Sequence, residues 1–187
     1  MRCRTELIAT ARKMLDLGLV TGTYGNVSCR IDDRILITPS NLPYEGMTTD
    51  DLVVLSRTGE VIEGHRIPSS EYRLHVGIYA RIPDARAIVH THSPAAVAFA
   101  ARSGAQRSFP AEPLSDDLHV APFRPAGTQE LADGAVRCLI EHGGRAAILQ
   151  DHGAVCIGRD LADALEICIE VEHQAARAVR PFDAAEG

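Results

Sequence analysis

Two pairs of short apolar runs lie too close together to pair as strands in any way but antiparallel. Val27–Arg30 and Arg34–Thr38 are joined around Asp32-Asp33, and Leu52–Ser56 and Val61-Ile62 flank Thr58-Gly59. Parallel strands need a long crossover, whereas antiparallel strands close through a tight turn. Further short runs at Ala85–Val89, Leu118–Pro122, Ala146–Leu149 and Ala154–Ile157 read as strands. Between them, residues 4–18, 68–81, 94–102, 128–142 and 161–179 read as helices, the clearest with apolar positions at helical spacing. This mixture predicts an α/β fold. It is a three-layer α-β-α sandwich whose central sheet is mixed, largely antiparallel, with helices on both faces. The 187 residues, 45% hydrophobic, suit one domain spanning 1–187.

Charge and composition exclude several classes of function. The net charge is −6, with acids and bases interspersed, so no basic face is expected for nucleic acid or an anionic membrane. No stretch approaches the ~18–20 apolar residues of a membrane span, and Met1-Arg-Cys-Arg-Thr-Glu is no signal peptide. The cysteines Cys3, Cys29, Cys138, Cys156 and Cys168 are scattered and form no CxxC, so free thiols in a reducing cytoplasm are expected. Lys13 is the only lysine and falls on the charged side of a predicted helix. A Schiff-base lysine must be desolvated in a pocket, so carbonyl chemistry in this chain would have to use a metal.

His90-Thr91-His92 follows the run Ala85–Val89. Residues i and i+2 of a strand project to the same side, so His90 and His92 project together while Thr91 faces away. His152, in Gln150-Asp151-His152-Gly153, follows another short run and offers a third imidazole. Structural zinc sites are closed by four ligands, whereas catalytic ones use three and keep a position open. Three histidines with a carboxylate nearby match the second kind. His65, His75, His119, His142 and His173 lack such pairing and read as ordinary residues, with His75 and His173 on helices as surface or packing groups.

Three polar turn pairs, Gly25-Asn26, Ser40-Asn41 and Ser69-Ser70, stand at the edges of predicted elements. Turn amides and hydroxyls can cradle an anion, and a helix N-terminus adds its dipole. Each pair also reads as a plain cap or turn. Ser69-Ser70 are expected to cap the helix that follows, with Glu71 in its first turn. A carboxylate there complements the dipole. Beside a metal it can also serve as ligand or general base.

Taken in order, Gly25-Asn-Val-Ser28, Ile37-Thr-Pro-Ser40, Pro68-Ser-Ser-Glu71, His90-Thr-His92, Ala121-Pro122 with Gly127-Thr128, and His152-Gly153 resemble the class II aldolase/adducin family over nearly the whole chain. The resemblance implies zinc ligands at His90, His92 and His152, and a catalytic acid/base at Glu71 that also ligates the metal without substrate. It implies phosphate-binding pairs at Gly25-Asn26, Ser40-Asn41 and Ser69-Ser70, and a homotetramer with active sites between subunits. The implied activity is a metal-dependent aldolase that cleaves a small sugar phosphate through a metal-stabilised enediolate. Zn2+ is the expected ion, with Mn2+ or Co2+ as alternatives. A dehydratase or decarboxylase on the same scaffold is the runner-up. A 4-epimerase ranks lower because epimerase-like members carry Asp where this chain has Glu71. A non-catalytic adducin-like module ranks last because such heads lack the ligands. Two departures bear on the substrate. Asn41 stands where the family usually has Gly, and Phe123 aligns with a tyrosine of the fuculose-phosphate enzyme.

Overall fold

Alternate strand residues leave the sheet in opposite directions, and here both directions are buried. In β1 (Asn26–Ile31), Val27 and Cys29 join one apolar cluster. In β5 (Ala87–Thr91), Ala87 and Val89 join that same cluster, whereas Ile88 joins the opposite one. The computed structural model describes residues 2–103 and 118–179, so residue 1, 104–117 and 180–187 of the expected domain lie outside the described residues.

The other strands are β2 (Arg34–Ile37), β3 (Val53–Leu55), β4 (Val61–Glu63), β6 (Val120–Ala121), β7 (Ala146–Leu149) and β8 (Gly153–Gly158). They form one sheet in the order β4-β3-β2-β1-β5-β8-β7-β6. Every neighbouring pair is antiparallel except β6–β7. The expected mixed, largely antiparallel sheet is what forms. Both predicted hairpins close, the first through Asp32 at φ 52°.

Helices α1 (Arg2–Asp16), α3 (Pro94–Ser103) and α5 (Leu161–Val179) cover one face, and α2 (Tyr72–Arg81) and α4 (Gln129–His142) cover the other. Helix α1 buries Leu7, Ile8, Ala11 and Met14 and leaves Lys13 exposed, as its spacing predicts. It stops at Gly18, φ 69°, where Leu19 N–H donates to Met14 and Gly18 N–H to Leu15. That is the pair of bonds that satisfies a helix's last carbonyls. Helix α4 starts at Thr128, whose hydroxyl accepts from Leu131 N–H at 3.2 Å.

Cys3 on α1 and Cys29 on β1 face each other across the α1–sheet interface with their sulfurs in contact. Their Cα atoms are 7.6 Å apart, beyond the about 4.4–6.8 Å that disulfides usually span. Cys138, Cys156 and Cys168 are free and buried. Among the described residues no helix is long and apolar enough to cross a membrane.

Candidate metal centre

The order of the sheet builds the site. Strand β5 lies between β1 and β8, with Asn26 opposite His90 and Thr91 opposite Ala154. His90 is the fourth residue of β5 and His92 follows its end. Leu149, Gln150, Asp151 and His152 turn between β7 and β8, with Asp151 at φ 56° and His152 N–H donating to Leu149. The turn places His152 against the end of β5, where β8 comes so close that a Cβ on Gly153 would stand 1.9 Å from Thr91 O. Only glycine fits there.

The three imidazoles converge, with ring centroids 4.7–4.9 Å apart. His90 Nε2 lies 3.1 Å from His92 Nε2 and 2.9 Å from Glu71 Oε2, and His152 Nε2 lies 3.2 Å from Glu71 Oε1. All four ligand-type atoms fall within 4.8 Å of one another. His90 Nδ1 is 2.9 Å from Ala154 O. A carbonyl only accepts, so Nδ1 carries a proton and Nε2 is the atom turned to the cluster; with a metal bound it would present its lone pair, and without one it shares a second proton with Glu71. Glu71 Oε1 is buried without a well-formed hydrogen bond. Tetrahedral ligands about 2.0–2.1 Å from a shared zinc ion stand roughly 3.3 Å apart, close to the spacing here. Converging ring nitrogens and an orphaned carboxylate oxygen fit a divalent cation.

Electrostatics point the same way. Burial pushes the Glu71 carboxyl up, but the charge of His90 and the close approach of the His152 and His90 rings outweigh it, holding the group far below the usual carboxylate range. Burial opposes charge on His90, yet the Glu71 charge and hydrogen bond raise it. His92 is pushed down to about 3 by burial and then by the neighbouring histidines. The cluster thus combines one anion with imidazoles that resist holding several protons together.

The polar turns meet at the same place. Gly25, Asn26, Ser40, Asn41, Ser69 and Ser70 line one cavity of about 200 Å³ that also touches Glu71, His92 and His152. A bridge between Pro39 and Pro68, with Ser40 N–H donating to Ile67 and Ser69 N–H to Thr38, holds two of the turns side by side. Gly25 sits at φ 75°, and a Cβ there would be 2.7 Å from His90 O. Asn41 adopts φ 56°, so the residue that replaces glycine keeps the left-handed turn, which Asn tolerates better than most. A larger cavity, about 430 Å³, is lined by Arg30, Arg34, Arg57 and Tyr79 and shares no wall with the histidine cavity.

One reading is revised. Ser69 and Ser70 precede α2 rather than capping its first turn. Glu71 is itself the N-cap residue, but its side chain makes no cap bond. It turns instead to His90, His152 and Asn26, whose Nδ2 donates to Glu71 Oε2 at 3.2 Å. His75 is fully buried and hydrogen-bonded to Asn26 and Ser28, whereas His173 is exposed. Phe123 is half-exposed and does not line the cavity. The aromatic that does is Tyr24, its ring 5.3 Å from that of His92. Its place between two turn residues, Thr23 and Gly25, gave no signal.

The sequence pattern of the family described as Class II Aldolase and Adducin N-terminal domain matches residues 5–179. The L-fuculose phosphate aldolase of Escherichia coli is 38% identical over 173 residues, covering 89% of this chain and 78% of that protein. A 5-methylthioribulose-1-phosphate/5-deoxyribulose-1-phosphate aldolase of Rhodospirillum rubrum is 37% identical over 186 residues, covering 98% and 83%. A solved L-fuculose 1-phosphate aldolase superposes with a TM-score of 0.86 at 32% identity, covering 94% of this chain and 84% of that one. The chain belongs to the class II aldolase and adducin N-terminal domain family.

Proposed function

We propose that this protein is a zinc-dependent aldehyde-lyase that cleaves a small ketose 1-phosphate by retro-aldol chemistry. The observation that carries the reading is one cavity that joins the His90-His92-His152 cluster and Glu71 to three anion-type turns. His90, His92 and His152 hold the ion, and Glu71 joins them when substrate is absent. Bound there, the ion would supply Lewis-acid polarisation of the substrate carbonyl and stabilisation of the negative charge that develops on C–C cleavage.

The remaining work falls to the chain. Glu71 moves the proton, taking it from or returning it to carbon or oxygen as the bond breaks or forms. Gly25-Asn26, Ser40-Asn41 and Ser69-Ser70 receive the phosphate through turn amides and hydroxyls. Anchoring this group away from the reacting carbons fixes the pose. Three imidazoles favour zinc, with Mn2+ or Co2+ as substitutes. By family resemblance the working unit is a cytoplasmic homotetramer, which light scattering on the eluted protein tests.

The names of the relatives define the substrate panel: L-fuculose 1-phosphate, 5-deoxyribulose 1-phosphate and 5-methylthioribulose 1-phosphate. Mass analysis of the products tests the reaction. Release of dihydroxyacetone phosphate with an aldehyde is expected from at least one. Loss of water or CO2 with the carbon chain intact would replace the aldolase reading with a dehydratase or decarboxylase.

A further inference from the structure

A chain of buried polar groups runs beneath α2, away from the histidine cluster. Asn26 Nδ2 donates to Glu71 Oε2, and Asn26 Oδ1 meets His75 Nε2. His75 Nδ1 lies 2.6 Å from Ser28 Oγ, which lies 2.9 Å from the Tyr79 hydroxyl. Ser28 and His75 are fully buried, and Asn26 and Tyr79 nearly so. Asn26 and Ser28 are alternate residues of β1, and His75 and Tyr79 are one helical turn apart on α2. Strand and helix periods therefore bring the four groups into one line.

The charge of Glu71 fixes the direction of every bond in that line. A carboxylate only accepts, so the Asn26 amide turns its NH2 toward Glu71 and its carbonyl oxygen toward His75. That oxygen only accepts, so His75 must carry its proton on Nε2. Being fully buried, and held down to about 3 by burial and then by His90, His75 is neutral, and its bare Nδ1 accepts from the Ser28 hydroxyl. Ser28 Oγ in turn accepts from the Tyr79 hydroxyl. Each donor has one acceptor, and none can reverse without flipping the amide.

We propose that His75 is a positioning residue: its neutral Nε2–H, anchored through Ser28 to Tyr79, locks the Asn26 amide so that Nδ2 holds the Glu71 carboxylate in place. This deepens the proposed function and rests on it for the role of Glu71. Without the Nε2 donor the amide is free to flip. The amide then presents oxygen to a carboxylate, and the acid/base loses its fixed place.

Selective 15N-histidine labelling of the zinc-loaded protein reads the tautomer directly at neutral pH. One histidine with a protonated Nε2 and a bare Nδ1 is expected, absent in His75→Gln and with its Nδ1 resonance moved in Ser28→Ala. An Nδ1–H tautomer or an imidazolium at His75 would overturn the proposal. Kinetics supply the second arm. His75→Met removes both bonds at similar volume and should lower kcat about 10–100-fold while KM changes less than about threefold and bound zinc is retained. His75→Gln, which keeps an N–H at the Nε2 position, should recover most of kcat. Equal losses in Met and Gln, or none in Met, would refute the idea. If the wild-type protein cleaves no sugar phosphate, the proposed function fails, and the tautomer and the zinc content still decide the role of His75.

Discussion

The helices on either side of the histidine strand begin in opposite ways. Helix α3 starts at Pro94, and its first free amides, on Ala95 and Ala96, donate to the two oxygens of Glu172 from α5 at 2.8 and 3.0 Å. Helix α2 starts after Glu71, whose carboxylate leaves the helix end and joins three histidines. Both starts have a glutamate at hand, and both glutamates lie in the protein rather than in open solvent. One neutralises a helix end and is consumed by it. The other leaves its helix end without a side-chain cap and is kept for chemistry. An acid that forgoes its cheapest local partner marks a functional centre more clearly than its burial does.

The largest effect that tests this contrast is on turnover. Glu71→Gln should lower retro-aldol kcat by about 10²–10⁴-fold with zinc retained by the three histidines, as assayed by product mass and metal analysis. Wild-type turnover in that variant would break the contrast at its functional end. Acid titration of the zinc-free protein, followed by urea unfolding, comes next. His75 and His92 are held down to about 3, while the unfolded chain takes up those protons near pH 6.5. Between pH 6.5 and about 3 the unfolded state therefore binds more protons. Stability should fall as pH falls, by up to about 1.4 kcal/mol per pH unit for each histidine. His90 is raised, so its contribution is present below pH 6.5 and is lost as pH rises above it. The zinc-free protein should thus be most stable near pH 6.5, and His75→Gln should flatten only the acid limb.

Glu172→Ala should cost about 1 kcal/mol, the usual worth of a helix cap, in a thermal melt, and leave kcat unchanged. A fall in kcat there would show that α3 is part of the catalytic machinery and erase the distinction. The smallest effect is expected for Tyr24→Phe. Tyr24 is 61% exposed and its ring contact with His92 survives the change, so turnover should stay within about twofold, the scale of an exposed substitution. A larger loss would place the hydroxyl in the reaction.

Much of this was legible in the chain before any coordinates. The Asp32-Asp33 turn, the amphipathic period of α1 and the i, i+2 pairing of His90 and His92 are local signals, and local geometry honours them. The departure at Asn41 was legible as well, because a left-handed turn is a property of one residue. What stayed hidden depends on which strand lies beside which. Asn26 reaches Glu71 because β1 pairs with β5, which no spacing within β1 reveals. His75 looked like a packing residue because a lone histidine on a helix face carries no mark of its partners across 47 residues of chain. The Cys3–Cys29 contact escaped for the same reason. Glu71 was placed one residue too far into its helix because Ser69 and Ser70 are good caps in isolation, and the site bends the chain before it lets the helix begin.

The adjacency of β5 and β8 reaches into how the molecule assembles. His90 and the Ala154 carbonyl that sets its tautomer are separated by 64 residues, so the trio of imidazoles has no existence in a chain that has not yet closed that loop. An ion that needs all three histidines meets a complete partner only in chains whose central strands have already found each other. Its affinity is therefore measured against the work of that closure, and every increment of binding is returned as resistance to unfolding. A metal held there would make its own availability a fold-maintenance variable, set by the same two neighbouring strands that shape the site.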